Sequence, residues 1–403
     1  MAKFIARRLI QSIPVFFGIT LLSYLIMVLA PGDPVSIMTF DPTMSQEERA
    51  ALADRLGVND PWPVQYFRWL VGNDWMVVDE VTWYQVEMED GATGWLSEKQ
   101  MAYHEETGDP VLLASRQPYR DEPKENAEIT GRIGRNAEFT VITETVEDVK
   151  GDSRGILRGD FGKSFTHHRN PLDLIGERIG ASIELNIAVI LVGLAIGLPV
   201  GVLAAILRGQ AFDQGSRVLA VLGDAIPIFW LAHMVLLIFG APNLDWLPMG
   251  GRCDHIRGGC GPVYTRLEYL ILPTAVSALG VISGWSRYIR ASMLEAISSD
   301  YIRTAQAKGL TARQVWFTHG LRNALIPVAT FLGPTIVSLV SGSVIIETIF
   351  SWPGWGRLTL QAVSAQDYPL IMASVVIGAV LTIIGYLISD ILYAVFDPRI
   401  RLS

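Results

Sequence analysis

The stretch IELNIAVILVGLAIGLPVGVLAAIL (residues 183–207) decides what kind of chain this is. An apolar run of this length crosses the roughly 30 Å of hydrocarbon in a bilayer, and it is too apolar for a helix that must face water. Five further runs share the pattern, at 9–30, 217–240, 267–289, 324–347 and 369–395. Half of the 403 residues are apolar, only 18% are charged, and the mean hydropathy is +0.33. These values set the chain apart from ordinary soluble domains and predict an all-α integral membrane protein with six transmembrane helices.

The first run has the basic start of a signal peptide (Lys3, Arg7, Arg8), and "VLA" at 28–30 has the look of a cleavage site. Its apolar region is longer than the usual 7–15 residues, so an uncleaved first span is expected. Orientation follows from the basic residues of the short loops. With the N-terminus inside, thirteen Lys and Arg fall inside and four (Arg252, Arg257, Arg266, Arg357) fall in the short outside loops. Both termini are therefore expected in the cytoplasm, in a bacterial or archaeal cytoplasmic membrane.

One large outside segment remains. Residues 74–158 hold 19 acidic and 9 basic residues, a net charge of −10, so the −8 of the whole chain comes from this piece. Within it, VTWYQVEMEDGATGWLSEKQM (81–101) alternates apolar and polar residues around a "DGATG" turn, and AEFTVITETV (137–146) repeats the alternation. Both are strand signals, the first a hairpin. The chain divides into 1–73 (first span and an extracytoplasmic amphipathic segment), 74–158 (a small acidic β-rich insert) and 159–403 (the remaining five spans). In the first of these, TMSQEERAALADRLGV (43–58) predicts a short amphipathic helix, and DPWPVQYFRWL (60–70) a helix on the membrane surface.

The only two cysteines, Cys253 and Cys260, share one outside loop. A disulfide closing it is one reading; metal ligation with Asp254 and His255 is the other, at a spacing unlike that of structural zinc sites. No metal site is expected. Gly193, Gly197 and Gly201 recur every four residues and predict a face where another helix approaches closely. Pro199, Pro227 and Pro273 predict kinks. The segment LRGDFGKSF (157–165) ends like a phosphate-binding loop, but Leu157 stands where that loop needs a glycine, so no nucleotide site is expected here. The ionisable residues Asp224, His233 and Glu347 lie in or at the ends of spans, where such groups face a bundle interior or a water-filled path, and they are the candidates for a translocation path.

The longest cytoplasmic loop, 291–322, reads as helix, Gly309, helix, with Arg303, Lys308 and Arg313 exposed to a partner or to anionic headgroups. Its DYIRTAQAKGL (300–310) followed by HGLRNALIP (319–327) resembles the ATPase-coupling loop of ABC importer permeases, in the form found in the oligopeptide/dipeptide/nickel branch. ETIFSWPGWGRL (347–358), DYP (367–369), YAVFDPRIR (393–401) and the start FIARRLIQSIPVFFGITLLSYLIMVLAPGDP (4–34) are similar to the same branch. The resemblance covers 1–73 and 159–403. The insert departs from it, and part of the insert is similar to half of a bacterial SH3-like domain.

That resemblance implies a type I permease, the pore subunit of an ATP-driven importer. Its implied partners are a second homologous permease subunit, two cytoplasmic ABC ATPases and an extracytoplasmic solute-binding protein. It implies no cofactor of its own, ATP and Mg²⁺ being bound by the ATPases, and no nucleic acid. Residues Arg303, Thr304, Ala305, Lys308, Gly309 and Arg313 are implied to couple to the ATPase, with Ala305 small enough for close approach. The implied cargo is di- or oligopeptides, with nickel or oligosaccharides as alternatives. A membrane-anchored envelope sensor built on the acidic insert is a separate reading. An intramembrane enzyme is disfavoured because the six histidines (104, 167, 168, 233, 255, 319) are scattered, and a secondary transporter because paired repeats are missing.

Overall fold

The computed structural model describes residues 2–29, 60–88, 91–103, 110–112, 117–124, 127–133, 139–150, 153–240, 246–253, 261, 263–325, 335, 337–339 and 342–396. The chain forms two compact units, residues 31–162 and the remainder. Helix α1 (Ala2–Leu29) belongs to the second of these and realises the first predicted span.

In the 31–162 unit, α2 (Trp62–Val71) starts on a proline-rich turn, whose preset φ suits a first helical turn, and stops at Gly72. Gly72 has φ +98°, and an added Cβ would fall 2.5 Å from backbone atoms of Ser153 and Arg154. The two ends of the acidic segment are therefore stapled together. The Asn73 N–H donates to the Ser153 carbonyl (2.9 Å), and the Ser153 N–H donates to Asn73 Oδ1 (3.0 Å). Arg158 grips both oxygens of Asp74 (2.8 and 2.6 Å) and the Val71 carbonyl (2.9 Å). The hydrogen bond from Arg158 holds the Asp74 carboxyl below its ordinary range.

Between these ends lies a five-stranded antiparallel sheet. Its strands are β1 (Val77–Met88), β2 (Thr93–Ser97), β5 (Gln117–Arg120), β6 (Ile129–Ile133) and β7 (Phe139–Lys150), in the order β6-β5-β2-β1-β7. A separate pair joins β3 (Met101–Tyr103) to β4 (Pro110–Leu112). The predicted hairpin is β1–β2, with Met88 N–H donating to the Ala92 carbonyl across the turn. Val86, Leu96, Met101, Leu112 and Ile133 form its core. The predicted amphipathic helix at 43–58 lies outside the described residues.

The remaining unit is built on α3 (Pro171–Ile206) and α6 (Leu267–Ser298). Asn170 caps α3 by accepting the Leu172 N–H (2.9 Å), and Pro171 fills the first helical position. Thirty-six residues at 1.5 Å each make α3 about 54 Å long, well beyond the hydrocarbon thickness. The predicted glycine face is where α3 meets α6. An added Cβ at Gly193 would lie 2.4 Å from Val281 Cγ1, and one at Gly201 would lie 2.6 Å from the Ser286 carbonyl oxygen. α6 runs past its predicted end at 289 to Ser298 as one helix, so the span and the start of the 291–322 loop form one continuous rod.

The span expected at 217–240 is not one helix. α4 (Ala211–Ala225) and α5 (Ile228–Phe239) meet at a 98° bend. Pro227 is the cause: it has no N–H to donate, and its ring pushes Ile226 out of the helical region, to φ −79°, ψ 122°. The final span is α10 (Tyr368–Phe396), whose Asp390 pairs with Arg8 of α1 (3.0 Å). Among the described residues four helices are long and apolar enough to span a membrane, five if the bent pair counts as one, against the six expected. Half of the predicted span 324–347 lies outside those residues.

Asp367 caps α10 and is fully buried. It accepts from Ser164 Oγ (2.5 Å), Thr166 Oγ1 (2.7 Å), Phe165 N–H (3.1 Å) and Thr166 N–H (3.2 Å). Burial works against its charge, but these hydrogen bonds outweigh burial and hold the carboxyl below the ordinary range. The serine of the apparent phosphate loop, Ser164, is thus committed to an internal carboxylate. In the other unit the Gly162 N–H, just before it, is taken by Asp160 Oδ1 (3.0 Å).

Two outcomes test this packing. Gly201→Ala is expected to destabilise the detergent-solubilised protein by about 1–3 kcal/mol, because its new methyl meets backbone that has no room to yield. Gly180→Ala on the same helix meets nothing within 4 Å, and is expected to be neutral or stabilising by up to about 1 kcal/mol. Asp367→Ala strands five donors, the Leu370 N–H (3.4 Å) among them, and should cost about 2–4 kcal/mol in thermal or denaturant unfolding. Because the folded carboxyl titrates below its unfolded value, its stabilisation is full above the ordinary carboxylate pKa and fades as pH falls through the folded one. Wild type and Asp367→Ala should therefore converge in stability only in strong acid.

Candidate functional site

The loop 291–322, expected on the cytoplasmic side, folds as a closed module. α7 (Asp300–Ala307) is followed by Lys308, Gly309, a short connection at Leu310–Thr311 and a helical stretch that is π-helical over Gln314–Leu321. Gly309 has φ +75°. Its N–H donates to the Gln306 carbonyl (2.9 Å) and the Leu310 N–H to the Ala305 carbonyl (3.4 Å), the two reverse bonds of a Schellman stop. An added Cβ would meet nothing within 4 Å, so glycine is required for backbone conformation and not for space. Leu310 then packs on Ile302, Ala305 and Val315, the apolar contact that accompanies such a stop.

The second helix starts with a capping box that the sequence reading missed, although Thr311-Ala-Arg-Gln314 carries its signature. Gln314 Oε1 accepts from Thr311 N–H (3.1 Å) and Oγ1 (2.9 Å), and Gln314 N–H reaches back to Thr311 Oγ1 (3.4 Å). Gly320 lies against Met293 of α6, and Trp316, Leu321 and Ala324 join Val202, Ala205, Ile289 and Met293 in one core. The module is therefore packed onto the ends of both α3 and α6.

The six residues predicted for coupling divide between two sides of this module. Arg303, Thr304, Lys308, Gly309 and Arg313 are exposed. Arg303 reaches Asp300 at 3.5 Å, with side chains 77% and 95% exposed, a pair too solvated to matter for stability. Ala305 differs from expectation: at 6% exposure it faces the module's own core, so its small size lets α7 close on Val315. Tyr301 (40%) and Phe317 (48%) are exposed apolar groups on the outer side that the sequence reading passed over.

The three path candidates are not brought together. Asp224, at the end of α4, is ion-paired with Arg287 of α6, both partly exposed. One turn further along α6, Arg290 bonds the buried Asp213 (2.6 and 2.9 Å), a second α4–α6 clamp absent from the candidates. His233 Nδ1 lies 2.7 Å from the Phe229 carbonyl of its own helix and is exposed. Glu347, on the short α8 (Val344–Ile349), is fully buried. It accepts from Ser182 Oγ of α3 (2.7 Å) and from the Arg357 N–H at the start of α9 (Trp355–Ser364; 2.9 Å). Ser182 in turn accepts the Trp355 N–H (2.8 Å), Trp352 Nε1 donates to the Ala181 carbonyl (2.8 Å), and Trp355 Nε1 donates to Ser374 of α10 (3.3 Å). The "ETIFSWPGWGRL" stretch is thus a knot tying α3 to α10, and Glu347 is its sealed centre.

Nearby, Glu184 of α3 accepts from Arg252 (2.8 Å) and Arg266 (2.9 Å). Cys253, beside Arg252, is buried and disulfide-bonded, and Cys260 lies outside the described residues. Among the described residues no group of His, Cys, Asp and Glu is placed to hold a metal.

Residues 197–402 match the model of the binding-protein-dependent transport system inner membrane component, and residues 1–82 match that of the N-terminal part of such components. Neither covers 83–196, where most of the acidic segment lies. The chain is 35% identical over 402 residues to the oligopeptide transport system permease protein AppB of Bacillus subtilis, covering 100% of both. It is 30% identical over 417 residues to the di/tripeptide transport system permease protein DppB of Pseudomonas aeruginosa, covering 100% of this chain and 99% of that one. It is also 30% identical over 420 residues to the dipeptide transport system permease protein DppB of Escherichia coli K12, with the same coverage. With long apolar helices joined to a closed helical module and matches along its whole length, the chain belongs to the family of inner membrane components of binding-protein-dependent transport systems.

Proposed function

We propose that this chain is a pore-forming permease subunit of an ATP-driven importer of di- and oligopeptides. The observation that carries the reading is the 300–321 module: a rigid, self-capped unit with an exposed basic and aromatic face, packed on the ends of the two longest helices. The peptide transport named in the relatives supports the cargo.

In this reading the fold is that of a type I permease and both termini are cytoplasmic. A second homologous permease subunit completes the path, and a solute-binding protein delivers peptide from outside. Two cytoplasmic ATPases bind ATP and Mg²⁺, so the permease itself contributes no catalytic group. The ATPases seat on Tyr301, Arg303, Thr304, Lys308, Arg313 and Phe317. ATP binding closes the ATPase pair and displaces the two modules. Because each module shares a core with α3 and α6, the displacement reaches the helices as rigid-body motion between inward-open and outward-open packings. Differential affinity of nucleotide and loaded binding protein for the two packings supplies the work.

Gly309 tests this directly. Its left-handed conformation costs a side-chain-bearing residue about 1–2 kcal/mol, most for β-branched residues and least for Asn. In a reconstituted complex Gly309→Val should lower peptide-stimulated ATP hydrolysis by about tenfold or more, and Gly309→Asp should also impair it. Gly309→Asn should stay within about twofold of wild type. Stimulation left intact in Gly309→Val and Gly309→Asp would remove the module from the coupling path.

A further inference from the structure

A cavity of about 140 Å³ opens between α3 and the start of α9, lined by Arg178, Pro353, Gly354, Arg357, Leu358 and Gln361. Arg178 stands 24 positions before Val202, where the cytoplasmic module packs, which at 1.5 Å per residue places it about 36 Å along α3. That exceeds the hydrocarbon thickness, so the cavity and the module lie at opposite faces of the membrane.

The charge of the cavity is unbalanced. Two guanidinium-bearing residues and one carboxamide line it, and no acidic side chain does. Neither the Arg178 nor the Arg357 side chain has a hydrogen bond or ion pair among the described residues. Their neighbours differ: Arg169 bonds Glu177, and Arg252 and Arg266 share Glu184. Glu177, which feels the charge of Arg178, is itself bonded to Arg169, and Glu347, behind the wall, is sealed off. An added Cβ on Gly354 would sit 2.3 Å from its Cδ, and Glu347 bonds the Arg357 backbone N–H and not its guanidinium.

Two cationic forks facing one polar space repel each other until an anion enters between them. The planar fork of arginine matches a carboxylate through two parallel N–H···O bonds, which a lysine ammonium does not reproduce. The volume equals that of about four to five waters, enough for a carboxylate and part of one residue. Gln361 adds an amide able to donate to or accept from a peptide group.

We propose that this cavity binds the C-terminal carboxylate of the transported peptide at the extracytoplasmic end of the permease, with Arg178 and Arg357 gripping the carboxylate and Gln361 the adjoining amide. The inference rests on the peptide reading above.

The test uses the permease pair in nanodiscs without binding protein, probed with N-terminally fluorescein-labelled trialanine. Competition by unlabelled trialanine should exceed that by trialanine amide about tenfold in wild type. The Arg178→Gln/Arg357→Gln variant should lose that preference while melting at the wild-type temperature. Arg178→Lys and Arg357→Lys, which keep charge and lose the fork, should fall between. Equal competition by acid and amide in wild type, or a preference that survives in the double variant, would overturn the proposal. So would a double variant that still binds peptide with the wild-type preference but no longer captures the binding protein, since the arginines would then grip an acidic side chain of that protein. Uptake by the complete wild-type complex separates the two claims. No uptake of any peptide defeats the cargo reading, whereas normal uptake without a carboxylate preference lost on substitution defeats only this site.

Discussion

The contact on which the rest depends is the close approach of α3 to α6 along Gly193, Gly197 and Gly201. In hydrocarbon there is little hydrophobic gain in pressing two helices together, so association relies on dense packing and on small residues that admit it. Here the glycines bring the Val281 side chain and the Ser286 carbonyl of α6 to within 2.4–2.6 Å of where a Cβ would stand. Everything functional hangs from the ends of this pair. At one end Ala181, Ser182 and Glu184 of α3 hold Trp352, Glu347, Trp355, Arg252 and Arg266. At the other, Val202 and Ala205 share a core with the 300–321 module.

In the proposed function, a rod anchored this way carries a displacement of the module into the spans. The module's own closure contributes as much as the anchorage: the Schellman stop at Gly309, the Thr311–Gln314 capping box and the Ile302–Ala305–Val315 core leave it little internal freedom. The ion pairs Asp213–Arg290 and Asp224–Arg287 bind α4 to the same stretch of α6. The bent α4–α5 element is therefore tied to the helix that carries the module.

Much of this was legible in the sequence because it rests on local rules. The glycine spacing on α3, the hairpin at 81–101 and the need for glycine at 309 each follow from periodicity or from a single backbone conformation. What was not legible depends on long-range partners. Glu347 reads as an ionisable group near a span end, and only the fold shows that Ser182, 165 positions earlier, closes over it. Ala305 reads as a small residue on an exposed loop, and only the packing of Val315 turns it inward. Pro227 announced a kink, but not that it would turn the chain by 98°. The phosphate-loop look of GKS dissolves for a like reason: Ser164 belongs to Asp367, some 200 residues away.

The central claim is that the 300–321 module is the seat of a cytoplasmic ATPase. It is tested most directly by Thr304→Cys, an exposed position outside the module's core. In the assembled complex the account predicts that a short crosslinker with a maleimide at one end and an amine-reactive ester at the other links this cysteine to a lysine of the ATPase subunit, with a yield that changes when ATP is added. A Thr304→Cys thiol that gives no such link and is instead labelled from the extracytoplasmic side by a membrane-impermeant maleimide would contradict it.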